Sequence, residues 1–262
     1  MRYLALMGAG WRRWSSYRAA TFAGLFTNTA FGFLRAAVLL AALKVAGPIG
    51  GYDPADALTY VWLGQGLIMT IGIWRSSELA MRIQTGDIVV DFSRPIDLQV
   101  AYLCEDLGRA GYQVVARGIP PFAVGMLAFD LRFPTHASTW LVFAVSLFLA
   151  IVASFGMRFL INLGAFWVLD YRGLNGLSSL LMTFASGFAL PLSFFPGWAD
   201  TLLRALPWAA MVQTPIDVFL EQRSGSELIG LLALQAWWAV ALLGIGRLVL
   251  QSATHRVVVQ GG

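Results

Sequence analysis

Long apolar stretches separated by short polar ones make up most of this chain. A helix that crosses a bilayer needs about 20 mostly apolar residues to span roughly 30 Å of hydrocarbon. Five stretches meet this requirement directly. A sixth contains Arg117 and Pro120-Pro121, which spanning helices tolerate where neighbours satisfy the freed carbonyls. The pattern predicts an all-α integral membrane protein, a single domain over residues 1–262, with six transmembrane helices at residues 22–46, 57–74, 112–129, 137–157, 174–195 and 228–246.

The composition agrees with a chain that sits in lipid. Hydrophobic residues make up 58% of the sequence, charged residues only 12%, and the mean hydropathy is +0.70. A soluble domain carries about 25% charged residues. The isoelectric point near 9.6 would suit a nucleic-acid partner, but the basic residues flank apolar runs instead of forming a stripe. We therefore expect a lipid bilayer as a partner and no nucleic acid.

The distribution of basic residues predicts the orientation of the helices. Arginines at positions 2, 12, 13 and 18 precede the first span without an acidic residue, whereas the next loop, "GPIGGYDPAD", holds two aspartates and no basic residue. Cytoplasmic loops carry the excess of Lys and Arg, so both termini are predicted to be cytoplasmic. "WRRWSSYRAA" is expected to form a short interfacial helix with its arginines toward the headgroups. "PLSFFPGWADTLLRALPW", after the fifth span, is expected to dip into or lie along the outer interface.

A charged segment follows the second span. It reads "SSELAMRIQTGDIVVDFSRPIDLQV". Ser76 or Ser77 is a plausible N-cap and Gly86 a natural stop, which predicts a short helix with Leu79 and Ile83 on one apolar stripe. Such a helix suits a partner surface, and the alternative is a solvated helix that only caps the bundle. The charged residues of the segment are Glu78, Arg82, Asp87, Asp91, Arg94 and Asp97.

Three of the polar residues inside predicted spans are candidates for a function. Arg35 lies near the middle of the first span, where a charge costs at least about 2.5 kcal/mol. Asn28 lies two helical turns earlier, so both residues are expected on one face of the helix. Gln65, in the second span, is a weaker candidate because one hydrogen bond to a neighbouring helix would satisfy it. We predict a translocation pathway at these residues; the alternatives are a shifted span or structural packing of Arg35 against another subunit.

Several kinds of chemistry are missing from the sequence. A P-loop needs a Gly-x-x-x-x-Gly-Lys-Ser/Thr motif, and the sole lysine, Lys44, lies in "ALKVAG". Cys104 is the only cysteine, and the two histidines, His136 and His255, are predicted on opposite faces of the membrane, which argues against a metal or haem site. The chain is therefore expected to have no catalytic residues, no metal and no cofactor of its own.

Three other functions stay open. A secondary transporter coupled to ions usually has acidic residues inside its spans, whereas here every acidic residue falls at a loop or a span edge. A membrane enzyme that acts on lipid would use Asp130, His136 or Asp170, which would have to meet in one pocket. A purely structural membrane subunit is the third alternative.

The chain resembles a permease subunit of the ATP-binding-cassette (ABC) exporters of the ABC-2 type, in particular the bacterial branch that pairs two different permeases with an ATPase. The resemblance covers essentially the whole sequence. It is carried by the six-span layout and by the stretches "RIQTGDIVVDFSRPIDLQ", "GFALPLSFFPGWADTLLRALPW" and "RVVVQGG".

The resemblance implies a division of labour between subunits. Residues 78–86 would be the coupling helix that seats in a groove of the ATPase, and residues 87–95 its supporting turn. The outer stretch would form short re-entrant helices. The partners would be two ATPase subunits, which bind ATP and Mg²⁺, and a second, distinct permease in a bacterial cytoplasmic membrane, and the substrate would be a drug, an antibiotic or a lipid. The coupling residues implied are Glu78, Leu79, Arg82, Ile83, Gly86, Asp87, Asp91 and Arg94, with Leu79 and Ile83 as apolar anchors and the charged residues pairing with the ATPase.

Overall fold

The computed structural model describes residues 2–47, 50–72, 74, 78–168 and 171–254. The regular elements in these ranges are all helical, which confirms the predicted all-α class for them. A π-helix at Val114–Gly118 joins α6 to α7, and short 3-10 helices lie at Gly164–Phe166, Leu192–Phe194 and Ala209–Met211. The α-helices are α1 (Arg2–Ser15), α2 (Arg18–Ala46), α3 (Pro54–Ile71), α4 (Glu78–Thr85), α5 (Ile88–Phe92), α6 (Leu98–Gln113), α7 (Ile119–Ala128), α8 (Ala137–Leu163), α9 (Tyr171–Ala185), α10 (Gly197–Ala205), α11 (Gln213–Phe219) and α12 (Gly225–Thr254).

Three helical stretches in the described part of the chain are long and apolar enough to cross a membrane. They are Arg18–Val45, Ala137–Phe166 and Gly225–Ala253, and they overlap the first, fourth and sixth predicted spans. The other three predicted spans overlap α3, the α6–α7 helix and α9.

The helix over the third predicted span begins at Leu98, well before the predicted start at Tyr112. Asp97 caps it, because its side chain accepts a hydrogen bond from the Val100 N–H at 2.9 Å. Asp and Asn at this position satisfy one of the free N–H groups of a helix start. The helix therefore extends beyond the predicted span at its N-terminal end, over residues 98–111, whose polar side chains a search for apolar runs passes over.

The helix over the fifth predicted span, α9, ends at Ala185, ten residues before the predicted end of the span at Phe195. Gly187 has φ +84°, a conformation that favours glycine. A Cβ on Gly187 would lie 2.5 Å from the Gln213 side chain and 2.7 Å from the Tyr60 hydroxyl. Residues 186–195 therefore fold as a turn and a 3-10 helix against α3 and α11.

Helix α3 forms the centre of the structure, and its residues 56–68 are all buried. The helix starts with a capping box: the Asp53 side chain accepts from Asp56 N–H at 2.8 Å, and the Asp56 side chain accepts from Asp53 N–H at 3.3 Å. Pro54 at the first position suits a helix start, where a missing N–H costs nothing. Helices α2, α7, α8 and α11 pack around α3.

Helix α1 packs along α6 with the two backbones in close contact. A Cβ on Gly10 would lie 2.1 Å from the Glu105 carbonyl, and a Cβ on Gly108 would lie 1.9 Å from the Met7 carbonyl. The sequence predicted one interfacial helix over residues 11–20. That boundary was wrong, because α1 ends at Ser15 and α2 begins at Arg18.

Candidate functional site

The charged segment folds as two short helices, which lie between α3 and α6 in the chain. We call residues 78–95 the 78–95 segment. Helix α4 covers Glu78–Thr85, as the sequence predicted, and Gly86 ends it with φ +82°. The Thr85 hydroxyl donates to Asp87 at 2.8 Å, and α5 begins at the next residue. The predicted caps Ser76 and Ser77 lie outside the described residues.

The apolar stripe of α4 faces the protein's own interior. Leu79 is 5% exposed and Ile83 is 9% exposed. Both belong to a core cluster with Phe155 and Phe159 of α8. Their side chains are therefore not available as anchors in a partner's groove, which corrects the role that the resemblance implied for them. The prediction that Leu79 and Ile83 share one face of the helix was right, but α8 of the same chain covers that face.

Two of the predicted coupling charges pair with each other. The Arg82 guanidinium donates to Asp91 at 2.8 Å, and the Tyr102 hydroxyl donates to the same carboxylate at 3.1 Å. Arg94 approaches Asp91 at 3.7 Å. The hydrogen bond that Arg82 donates to Asp91 raises the pKa of Arg82 above its usual value. Arg82 and buried Asp91 thus connect α4 to α5, in contrast to the expectation that they pair with an ATPase.

Other contacts fix the 78–95 segment to the helices beneath it. Glu78 accepts from Arg13 of α1 at 2.9 Å, and Arg13 also donates to Glu105 at 3.2 Å. Arg13 was expected to face headgroups, but this pairing takes its guanidinium to α4 and α6. The Ala80 N–H donates to Asn162 of α8 at 3.0 Å. The start of α4 is therefore bound to α1 and to α8.

The opposite side of the 78–95 segment is exposed and mixes apolar with charged side chains. Met81 is 52% exposed, Val89 38% and Val90 55%. Asp87 and Arg94 are exposed beside them. We call these five residues the 81–94 surface.

A buried ion-pair cluster lies next to the 78–95 segment. Asp106 accepts from Arg109 at 2.7 Å and from Arg158 at 2.7 Å. Arg109 is 2% exposed and also donates to the carbonyls of Met69 at 2.7 Å and Thr70 at 2.9 Å, near the end of α3. The cluster therefore ties α3, α6 and α8 together. The sequence analysis missed it, although the spacing of Asp106 and Arg109 by three residues is a signal for a pair on one helix.

A polar cavity of about 220 Å³ separates this cluster from α4. Helices α1, α4, α5, α6, α8 and α9 contribute its walls. The charged residues that line it are Arg13, Glu78, Arg82, Asp91, Arg94, Glu105, Asp106 and Arg158.

Asn28, Arg35 and Gln65 line one cleft of about 620 Å³ between α2, α3 and residues 188–194. Arg35 donates to the carbonyls of Phe188 and Ala189, the latter at 3.3 Å, and its guanidinium lies 4.4 Å from the centre of the Phe188 ring. In the amide orientation that satisfies both neighbours, the Gln65 oxygen accepts from Arg35 at 3.2 Å and its nitrogen donates to the Asn28 carbonyl at 3.3 Å. The predicted shared face of Asn28 and Arg35 is therefore present; a role in translocation stays a prediction.

Residues 186–221, which we call the 186–221 segment, meet the other end of α3. Buried Gln213 is at the centre of their hydrogen bonds. Its oxygen accepts from the Tyr60 hydroxyl at 2.7 Å and from the Leu192 N–H at 3.0 Å, and its nitrogen donates to Asp217 at 2.7 Å. Arg204 pairs with Asp217. A buried network of this kind, with its members satisfied, holds a segment in one position.

Asp130 and His136, two residues of the lipid-enzyme alternative, line neither of the two cavities described above. His136 is 76% exposed at its side chain and pairs with Glu221 at 3.1 Å. Glu221 also accepts from Thr139 at 2.6 Å at the start of α8. Asp130 is exposed, and Asp170 lies outside the described residues. Among the described residues, no group of three or more His, Cys, Asp or Glu side chains is arranged to hold a metal ion.

The long apolar helices and the all-helical fold define a multi-pass membrane protein. A sequence model of the ABC-2 family transporter proteins matches residues 26–261. The chain therefore belongs to the ABC-2 family, whose membrane subunits are permeases that work with a separate ABC ATPase. A search of the curated proteins finds no significant match.

Proposed function

We propose that this chain is the permease subunit of an ATP-driven exporter. In this proposal it has six spans with both termini in the cytoplasm of a bacterium. It pairs with a second, distinct permease and with two ATPase subunits, which bind ATP and Mg²⁺. The 78–95 segment receives movement from an ATPase, and the cleft at Asn28, Arg35 and Gln65 forms half of the translocation pathway.

The observation that carries this proposal is the two-sided construction of the 78–95 segment. Its inner side is fixed to the chain through Leu79 and Ile83, and its outer side leaves Met81 and Val90 exposed. A helix that only capped the bundle would need no apolar residues on its exposed side. Exposed apolar side chains rimmed by charge are a feature of protein interaction sites, which supports the 81–94 surface as the contact with the ATPase.

The contacts between the 78–95 segment and the helices beneath it could transmit a movement of the segment to the predicted spans. Glu78 and the Ala80 N–H connect α4 to α1 and α8. Arg158 and Arg109, held by Asp106, connect α8 and α6 to the end of α3. ATP can shift the permease between two states only if the ATPase binds them with different affinity. In this proposal, that difference enters at the 81–94 surface and reaches α3 through the Asp106 cluster.

Substitutions on the exposed side test the proposal. Met81→Asp and Val90→Asp place a charge on the 81–94 surface without touching the core below it. We expect each to weaken binding of the ATPase by about tenfold or more. The substitution removes an apolar contact and buries a charge at the interface, and together these cost more than about 1.4 kcal/mol of binding free energy. Co-purification from membranes and stimulation of ATP hydrolysis measure this.

The matched control is Ser252→Asp, which adds the same charge at an exposed position of α12. It should leave ATPase binding unchanged. Equal binding in Met81→Asp, Val90→Asp and the control would reject the 81–94 surface as the contact. Transport that continues after the ATPase gene is removed would instead favour a secondary transporter.

A further inference from the structure

Arg35 differs from Arg109, Arg158 and Arg204 in the charge of its partners. The Arg109, Arg158 and Arg204 guanidinium groups each pair with a carboxylate. Among the described residues, Arg35 has only neutral partners, namely two carbonyls, the Gln65 amide and the Phe188 ring. Its positive charge is therefore not neutralised within this part of the chain, and such a charge in an apolar environment is costly unless an anion compensates it.

A second donor at the same cleft lacks an acceptor. The Asn28 side-chain nitrogen is buried and has no hydrogen-bond partner, although the residue is only 7% exposed. Buried donors are nearly always paired with an acceptor. The cleft therefore holds one positive charge that no carboxylate among the described residues neutralises, and one buried side-chain nitrogen without an acceptor.

The rest of the cleft is apolar and open. Phe31, Leu34 and Val38 of α2 line it with exposed fractions of 53%, 58% and 60%, and Phe194 contributes on the other side. The volume of about 620 Å³ falls within the range of about 300–1,000 Å³ for sites that hold small organic ligands. A purely polar anion would leave this apolar wall without a partner.

We propose that the cleft binds an amphiphile with a single acidic group and an apolar chain or ring system. The acidic group pairs with the Arg35 guanidinium and accepts from the Asn28 nitrogen, and the apolar part lies against Phe31, Leu34 and Val38. This inference rests on the proposed function, because it names the substrate class of the proposed pathway. A carboxylate of the second permease is the rival partner for Arg35.

Photolabelling tests the binding without any need for transport. The purified full-length chain in nanodiscs of a neutral lipid is labelled with a long-chain fatty acid that carries a diazirine, and in parallel with the fatty alcohol of the same chain and diazirine position. Peptide mass spectrometry locates the labels. We expect labels from the acid on residues 27–42 and 188–194, with about a tenfold preference for the acid, as a charge-assisted hydrogen bond provides.

Arg35→Gln should remove the preference for the acid and leave labelling by the alcohol unchanged, whereas Arg35→Lys should keep most of it. Arg117→Gln is the matched control, because Arg117 is a second half-buried arginine that does not line the cleft. Circular dichroism and size-exclusion chromatography exclude a folding defect. The assay is repeated on the complex assembled with the second permease and the ATPase.

Three results would overturn the inference. They are equal labelling by acid and alcohol in the native chain, an unchanged preference in Arg35→Gln, and a preference lost equally in Arg117→Gln. A preference that disappears in the assembled complex would assign Arg35 to the second permease and would also reject the inference. None of these results bears on ATPase binding at the 81–94 surface, so failure here is distinct from failure of the proposed function.

Discussion

The 78–95 segment follows the C-terminal end of α3 in the chain, whereas the 186–221 segment hydrogen-bonds to Tyr60 of α3. The two segments are built differently. In the 186–221 segment, residues 209–220 are all buried. In the 78–95 segment, buried Leu79 and Ile83 alternate with exposed Met81 and Val90. Residues 209–220 are therefore part of the core of the chain, whereas α10 in the same segment exposes Trp198 and Leu202. The 78–95 segment is fixed to the core on one side and has a free side, which is the form expected of an element that a partner moves.

The bonds that hold the two segments differ in the same way. Gln213, Tyr60 and Asp217 are at most 1% exposed, and their hydrogen bonds are closed to water. The Arg13–Glu78 pair is 46% and 40% exposed at its side chains, and exposed pairs of this kind are worth about 0–1 kcal/mol. We therefore expect the 186–221 segment to unfold only with the whole protein, and the 78–95 segment to open locally.

The largest effect is expected from Asp217→Ala. The change leaves the half-buried Arg204 without a buried partner and removes an acceptor from Gln213. Breaking such a pair costs about 3–5 kcal/mol of unfolding free energy. Thermal or denaturant unfolding in detergent measures this. Asp200→Ala is the control, because Asp200 pairs with the same arginine from a more exposed position and should cost about 1 kcal/mol or less; equal losses would contradict the contrast between the segments.

A smaller effect is expected from Gly108→Ala, which separates α1 from α6. The new Cβ would lie 1.9 Å from the Met7 carbonyl, so α1 must move, at a cost of about 1–3 kcal/mol. Hydrogen exchange should increase in residues 2–15 and, through Arg13, in α4. Gly111→Ala is the control, since its Cβ meets the Trp11 ring at an ordinary 3.5 Å. Unchanged exchange in α4 would show that α1 does not support the 78–95 segment.

Asp91→Asn should loosen the 78–95 segment by about 1 kcal/mol, since it removes the charge from the pair with Arg82. Faster hydrogen exchange is expected over residues 78–92, with the melting temperature of the whole protein unchanged. Asp87→Asn is the control, because Asp87 is exposed and binds the neighbouring Thr85. A lower melting temperature in Asp91→Asn would mean that the segment unfolds together with the core.

The smallest effect concerns pH and residue Glu221 at the end of the 186–221 segment. Hydrogen bonds from Thr135 and Thr139 hold the pKa of Glu221 below its usual value, which is about 4.3 in an unfolded chain. A carboxylate with a lowered pKa stabilises the fold above its unfolded pKa, and this contribution is lost as the pH falls through the folded pKa. In a His136→Gln background, the stability difference between Glu221 and Glu221→Gln should be constant from pH 8 to 6 and shrink below about pH 4. A difference that changed near pH 6 would contradict this.

Helical periods within one element were predictable, and contacts between elements were not. The spacing of Asn28 and Arg35 predicted a common face, and Glu78 and Gly86 bounded a helix, because these signals are local. The sequence did not reveal that Phe155 and Phe159 of α8 cover the stripe at Leu79, since an amphipathic stripe does not specify what covers it. The same limit applies to Arg158 of α8, which joins the Asp106–Arg109 pair of α6.

The start of α6 and the end of α9 differ from the ends of the predicted spans, and the causes are polar residues in α6 and a glycine after α9. A search for apolar runs passes over a helix such as α6, whose middle carries Glu105 and Asp106. It also continues through Gly187, because "GFAL" is apolar, although α9 has already ended at Ala185 and Gly187 has φ +84°. Asp97 as a cap and Pro191 after Gly187 were the available signals. The length of an apolar run indicates whether a segment can cross a bilayer, whereas the ends of a helix depend on single capping residues, glycines and prolines.

The π-helix at Val114–Gly118 has a consequence for insertions and deletions in this chain. Each π turn winds one additional residue into a helix, and each residue of an α-helix turns the side chains by about 100°. The extra residue thus sets α7 at an angle that differs from a simple continuation of α6, so that α6 meets α1 while α7 meets α2 and α3. Removing one residue here would rotate the side chains of α7 about the helix axis. Gly125 would then turn away from the Trp62 indole, which packs against it because glycine has no Cβ. Single-residue length changes should therefore be tolerated far less in this short stretch than point substitutions at its exposed position Val115.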